Sequence, residues 1–267
     1  MCLLLLALNA VAHRPWLLLG NRDEFHARPT APAQRWSDSP DVIGGRDLAA
    51  GGSWLALNRD GRYAAVTNVR RGRTQAAARS RGELVGAFVT GADPVEDYLA
   101  AVAARRDQYG PFNLICGDAS GAGFVSSLDG APRILAAGVH AFSNGSPRDD
   151  WPKMHRLRTR FEALIAGTAR DSATQTGHAD AQHFDAALLD LLFDSEQPAD
   201  AALPDTGVGI ELERRLAPVF VMPITLGNAR YGTRASTLAY AFPGGQRLHE
   251  RRFDANAAVS GESVLDA

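Results

Sequence analysis

The sequence predicts an α+β fold in which antiparallel hairpins are combined with separate amphipathic helices. Apolar runs occur in pairs joined by short turn segments, and helical stripes of apolar residues lie between these pairs. Of the 267 residues, 45% are hydrophobic and 22% are charged, which is typical of a globular chain. We therefore expect a single domain over residues 1–267.

The first hairpin is predicted from two apolar runs, residues 3–8 and 16–20, which seven residues connect. Near-continuous apolar strands of this kind are typical of a sheet covered on both faces. Two further hairpins are expected at 54–57 with 63–67, around an Asp-Gly turn, and at 112–116 with 124–128. Other strand candidates are 133–135, 139–142, 219–222 and 236–240.

Three helices are predicted from apolar positions that recur at helical spacing. The first covers 95–102, after a start signal in which Asp93, Pro94 and Glu96 supply a cap, a first-turn proline and an acidic residue. The others cover 154–165 and 184–192. The polar, Gly- and Pro-punctuated segments 166–182 and 195–209 are expected to be loops.

Composition excludes several classes of protein. A formal charge of -2 provides no overall attraction to nucleic acid or anionic membranes, so neither is expected as a partner. The apolar run at residues 3–8 is not preceded by the basic residues that a signal peptide carries. No later segment reaches the roughly 18 consecutive apolar residues of a membrane-spanning helix. We therefore expect neither a signal peptide nor an integral membrane protein. Cys2 and Cys116 cannot build a disulfide framework, which fits a cytoplasmic location.

Cys2 is the first candidate for chemistry. We expect removal of Met1, because the following residue is small, and this would place a thiol and a free α-amine on Cys2. The amine titrates at about 7.7–8.0 and the thiol at about 8.5, so one residue would provide both a base and a nucleophile. A cysteine at position two is also common without any function.

The segment Asn21–Phe25 is the second candidate, since Asn-Arg-Asp-Glu follows an apolar run directly. Burying Arg22 beside Asp23 is costly unless the two charges are paired or used. The alternative is a strand that ends here and runs into solvent.

Several segments together resemble the NRDE family, also called the transport and Golgi organisation protein family. They are 21–24, 51–58, 64–68, 80–83, 112–114, 143–145 with 151–153, and 231–237. They follow one another over nearly the whole chain, which makes the resemblance far more specific than any single motif.

A more distant resemblance, to cysteine-dependent choloylglycine hydrolases and penicillin V acylases, implies a chemistry. It implies an N-terminal-nucleophile (Ntn) hydrolase-like fold, a four-layer αββα sandwich of antiparallel sheets. Residues that match in order are Cys2, Arg22, Asp23, Asn68, Asn144 and Arg234. One departure is that Arg22 directly precedes Asp23, whereas those enzymes separate the two residues.

The resemblance implies a role for each of these residues in amide cleavage. The Cys2 sulfur attacks a carbonyl, and Asp23 holds the α-ammonium or the thiol. Asn68 or Asn144 donates to the oxyanion, and Arg234 stabilises thiolate or substrate charge. The alternative is structural, with asparagines capping hairpins and Arg234 in a surface pair.

Other charged segments are weaker candidates. Arg70, Arg71, Arg73, Arg79 and Arg81 form a basic stretch without interleaved aromatic residues, so we expect a solvated loop over the site and not a nucleic-acid surface. The histidines have no metal-binding spacing, and no metal site is expected.

Two functions of different classes remain. The first is a thiol hydrolase acting on a small-molecule amide or related acyl bond, which requires no cofactor. The second is a non-enzymatic protein of intracellular haem trafficking, which the NRDE resemblance implies. Haem would then be the bound group, although no sequence motif indicates its ligand.

Overall fold

The computed structural model describes residues 2–72, 77–171 and 178–267. The strands are β1 (Cys2–Val11), β2 (Arg14–Phe25), β3 (Thr30–Trp36), β4 (Ser39–Asp47), β5 (Leu55–Asn58), β6 (Tyr63–Asn68), β7 (Phe112–Asp118), β8 (Gly121–Ser126), β9 (Arg133–Ile134), β10 (Gly138–Phe142), β11 (Ile224–Leu226), β12 (Ala229–Phe242), β13 (Gly245–Phe253) and β14 (Val259–Asp266). The helices are α1 (Gly82–Thr90), α2 (Val95–Ala104), α3 (Pro152–Asp171), α4 (His178–Asp190) and α5 (Ile210–Leu216).

Two antiparallel sheets form the centre of the described part of the chain. The first sheet has the order β10-β1-β2-β12-β13-β14, with β11 paired to β12. The second has the order β3-β4-β5-β6-β7-β8-β9, so each strand pairs with its neighbours in sequence. The central strand pair of the first sheet, β2 with β12, joins residues more than 200 positions apart.

Three apolar clusters arrange these elements in four layers. Helices α1 and α2 cover the outer face of the second sheet through side chains such as Phe88 and Leu99. The two sheets pack on each other through residues such as Leu6 and Ile43. Helices α3 and α4 cover the outer face of the first sheet, where Phe161 is fully buried. The predicted α+β fold with an αββα sandwich is confirmed.

Strand β1 shows why its sequence is apolar at nearly every position. Leu3 and Leu5 point towards helices α3 and α4, whereas Leu4 and Leu6 point towards the second sheet. Successive side chains of a strand alternate between the two faces of its sheet. Since both faces are covered there, every position from Cys2 to Leu8 is buried, as the apolar pattern indicated.

The three predicted hairpins are confirmed as β1–β2, β5–β6 and β7–β8. The three predicted helices correspond to α2, α3 and α4. Two expectations are wrong. Residues 219–222 do not form a strand, and α3 and α4 extend into the expected loop 166–182, of which 172–177 lie outside the described residues. The apolar side chains at 219–221 are nevertheless buried. Val219 packs in the cluster between the first sheet and α3 and α4, and Val221 packs in a smaller cluster with Leu216 and Tyr231.

No helix in the described residues has the length and apolar character needed to cross a membrane.

Candidate active site

A cavity of about 500 Å³ opens where the start of β1, the end of β2 and the residues before α1 meet. Cys2, Asp23 and Asn68 line it. Seven further residues on its wall are charged, namely Arg22, Glu24, Arg28, Asp47, Arg79, Arg81 and Glu83. The cavity therefore suits a small polar molecule better than a large apolar one.

Cys2 lies at the beginning of β1, directly opposite Arg22 on β2. Its side chain is nearly buried, and its carbonyl oxygen accepts a hydrogen bond of 3.3 Å from the Ser143 hydroxyl. Burial raises the pKa of the Cys2 thiol, and the Asp23 carboxylate adds to this effect, whereas Arg22 opposes it. The thiol is thus mainly protonated at neutral pH.

Asp23 is a buried carboxyl on the helix-facing side of β2. The Thr233 hydroxyl donates to its Oδ1 at 2.7 Å, and the Tyr231 hydroxyl donates to its backbone oxygen at 3.1 Å. Burial raises the pKa of Asp23, and the nearby Lys153 ammonium opposes this rise. Because side chains alternate along a strand, Arg22 shares the face of the Cys2 thiol and Asp23 occupies the other face.

Arg22 is buried inside β2, so the alternative that Asn21–Phe25 ends a strand in solvent is wrong. Its guanidinium carbon lies 4.4 Å from the centre of the Trp54 ring, and its Nη2 is 4.0 Å from a Glu24 carboxylate oxygen. The aromatic face and the carboxylate compensate the buried charge.

The two asparagines of the predicted site differ in their position relative to the cavity. Asn68 ends β6 and lines the cavity. Asn144 is fully buried and does not line it; its Nδ2 donates to the Asn68 carbonyl oxygen at 2.8 Å. The Asn144 carbonyl oxygen in turn accepts the backbone N–H of Arg70 at 2.6 Å. Asn144 therefore positions the backbone of Asn68 from behind the cavity.

Arg234 lies outside this cavity. The pairing of β12 with β2 shifts between Thr233 and Ala235, so Arg234 is the extra residue of a bulge, and a bulge redirects its side chain. Its Nη1 donates to the carbonyl oxygen of Arg28 at 2.7 Å and to that of Phe25 at 3.2 Å. It lines a neighbouring cavity of about 210 Å³, separated from the first by side chains that include Arg22.

Behind Asp23 lies a buried charge network that sequence reasoning missed. Lys153 is 3% exposed, and burial lowers its pKa to about 8, while Asp23 opposes the change. Arg70 pairs with Glu213 at 2.6 Å, and both side chains are buried. A signal for Lys153 was present, because it is the chain's single lysine and lies in the resemblance segment 151–153.

The basic stretch is only in part the solvated loop over the site that was expected, since Arg71 and Arg79 are exposed but Arg70 is not. Arg70 is buried against Glu213, Arg79 pairs with Glu83 at 2.8 Å, and Arg81 lines the cavity. Arg73 lies outside the described residues. Within the described ranges, no group of three or more His, Cys, Asp or Glu side chains is placed to hold a metal ion.

The two packed sheets with helices on both outer faces define an αββα-sandwich protein, and a polar cavity lies beside Cys2. The pattern of the Transport and Golgi organisation 2 (TANGO2) family matches residues 1–254, and the chain belongs to this family.

The chain is also similar to relatives from other organisms. The Transport and Golgi organization protein 2 homolog of Bos taurus is 32% identical over 236 residues, covering 83% of this chain and 80% of the relative. The Homo sapiens homolog is 31% identical over 233 residues, with the same coverage. A crystal structure of a mutant conjugated bile acid hydrolase from Clostridium perfringens has a TM-score of 0.49 and 9% identity, covering 100% of this chain and 92% of that one.

Proposed function

We propose that this protein is a cysteine hydrolase that cleaves amide or related acyl bonds of small molecules, with Cys2 as the nucleophile after removal of Met1. The observation that carries the proposal is the position of Cys2, whose thiol borders a polar cavity together with Arg22 and Asn68. A structural cysteine needs no such surroundings, since a buried thiol packs well among apolar side chains.

The chemistry needs a base, because burial keeps the Cys2 thiol protonated. In the proposed step, the α-amine takes the thiol proton as the sulfur bonds to the carbonyl carbon. The proton then passes to the leaving amine as the carbon–nitrogen bond breaks. Water hydrolyses the resulting thioester and releases the acid, which restores the thiol.

The surrounding residues support different parts of this step. Asn68 is the candidate oxyanion donor, because it lines the cavity and Asn144 holds its backbone. Donors of this type contribute about 10²–10³ in rate. Asp23, on the opposite face of β2 from the thiol, is better placed to orient the α-ammonium than to accept the thiol proton. Arg22 stabilises the thiolate, and Arg234 acts only indirectly, by fixing the backbone at Phe25 and Arg28.

Two measurements on the purified protein test the proposal. Intact mass spectrometry should show that Met1 is absent, and iodoacetamide should modify Cys2 in the native protein. Turnover of an amide library by the wild type and by Cys116→Ser, and its loss in Cys2→Ser, would support the nucleophile. Retained Met1, or turnover by Cys2→Ser equal to that of the wild type, would rule the mechanism out.

Haem binding stays a prediction. Among the described residues that line the cavity, Cys2 is the only cysteine, histidine or methionine. Haem at this cavity would therefore need the Cys2 sulfur as its iron ligand. Spectral titration of the wild type and Cys2→Ser with haem tests this directly, and identical spectra for the two proteins would exclude the site.

A further inference from the structure

The arginines around the Cys2 cavity differ in how their charge is compensated. Arg28 lies 2.8 Å from Asp47, and Arg79 lies 2.8 Å from Glu83. Arg22 packs on Trp54 and approaches Glu24. Each of these three guanidinium groups therefore already has an anionic or aromatic partner on the cavity wall.

Arg81 is the exception. In the described part of the chain no ion pair includes Arg81, and its Nη1 donates to the carbonyl oxygen of Pro111 at 3.3 Å. Its side chain is half-buried, and burial lowers its pKa, an effect that the charges of Cys2 and Glu24 oppose. A cation that is partly removed from water without a carboxylate partner attracts an anion strongly.

The position of Arg81 is defined by its neighbours. Arg81 directly precedes α1. Gly110 lines the same cavity, and a β-carbon placed on Gly110 would lie 3.1 Å from the Nη1 atom of Arg81. The absence of a side chain at position 110 thus leaves room beside the guanidinium. The planar guanidinium fork matches a carboxylate with two hydrogen bonds, which a lysine could not provide.

We propose that Arg81 is an anion subsite of the Cys2 cavity and that the substrate is a small polar amide carrying a carboxylate. This proposal rests on the proposed function, because it treats the cavity as the substrate site. The charged wall favours a small polar compound, and Arg81 is the group that selects its charge.

Alkylation of Cys2 by two reagents of nearly equal size measures this selection. Iodoacetate is anionic and iodoacetamide is neutral, and both react with the thiolate, so the ratio of their rates does not depend on the thiol pKa. We expect Arg81→Gln to lower the iodoacetate-to-iodoacetamide ratio by about tenfold, with Arg81→Lys between that variant and the wild type. Arg59→Gln is the matched control, because Arg59 is exposed and lines a different cavity from Cys2, and it should not change the ratio.

The outcomes separate the two roles that Arg81 could have. If Arg81 only stabilised the thiolate, Arg81→Gln would lower the alkylation rates by both reagents equally. An unchanged ratio of the two rates would therefore overturn the proposed anion subsite. If neither reagent modified native Cys2, the proposed thiol chemistry would fail, and the subsite would be decided by binding alone.

Binding is measured on Cys2→Ser by NMR titration with succinamate and succinamide, which have the same length and differ by one charge. We expect succinamate to bind at least about tenfold more tightly than succinamide. This preference for succinamate should disappear in the double variant that combines Cys2→Ser and Arg81→Gln. Equal binding of the two compounds, or binding of neither, would overturn the proposal.

Discussion

The two cysteines lie in regions of opposite character, although both are buried and both have raised pKa values. Cys116 lies in β7 among the apolar side chains under α1 and α2 and is 0% exposed. Cys2 borders a cavity with charged walls, and a network of buried charges stands behind its strand. Burial alone therefore does not separate a structural thiol from a candidate nucleophile; the neighbouring charges and the access to solvent do.

The largest effect is expected from breaking the charge network behind Cys2. Glu213→Leu removes the buried carboxylate that pairs with Arg70 and accepts hydrogen bonds from Thr206. Loss of one partner of a buried pair costs about 3–5 kcal/mol, so the free energy of unfolding in urea should fall by about 4 kcal/mol. A loss below about 1 kcal/mol would mean that the Cys2 region does not depend on these charges.

The second prediction concerns pH and Lys153. The folded pKa of about 8 lies below the ordinary value of 10.5, so the unfolded chain binds more protons between these values. The contribution of Lys153 to stability should therefore rise by about 3 kcal/mol between pH 8 and pH 10.5, after being constant at lower pH.

Urea unfolding at several pH values measures this rise, and Lys153→Met is the comparison because it has no titrating group at this position. Since Lys153 is the only lysine, NMR of the lysine-labelled protein reports its pKa without overlap. A lysine pKa near 10.5 in the folded protein would contradict the prediction.

The third prediction compares the two thiols directly. Cys2 should react with iodoacetamide at least about 100-fold faster than Cys116 in the native protein, because Cys116 is modified only after local opening of its sheet. Peptide mapping after timed labelling gives both rates, and the difference should vanish in denaturant. Equal rates in the native protein would remove the distinction between the regions.

The smallest effect is a difference in stability between two serine variants. Cys116→Ser buries a hydroxyl in an apolar cluster and should cost about 2 kcal/mol. Cys2→Ser should cost less than about 1 kcal/mol, since the new hydroxyl meets the polar cavity. Thermal unfolding of both variants measures the two losses of stability. A larger loss for Cys2→Ser than for Cys116→Ser would show that the two environments have been assigned wrongly.

Much of the fold could be predicted, because several strands and helices follow from the local spacing of apolar residues in the sequence. The paired apolar runs indicated β1–β2, and helical spacing indicated α2 and α3. The strands β3, β4, β13 and β14 were missed, because they carry many polar residues on half-exposed faces. Such strands are stabilised by pairing with distant partners, and a single-chain pattern does not contain that information.

The sequence by itself determined the candidate thiol, the order of the motifs and the alternation that buries both faces of β1. Only the tertiary structure decided which polar residues share a cavity. The bulge in β12 moved Arg234 to a neighbouring cavity, Asn144 came to lie behind Asn68, and Lys153 came to face Asp23. The physical reason is that a strand's pattern sets which face a side chain occupies, whereas register shifts and long-range pairing set what that face meets.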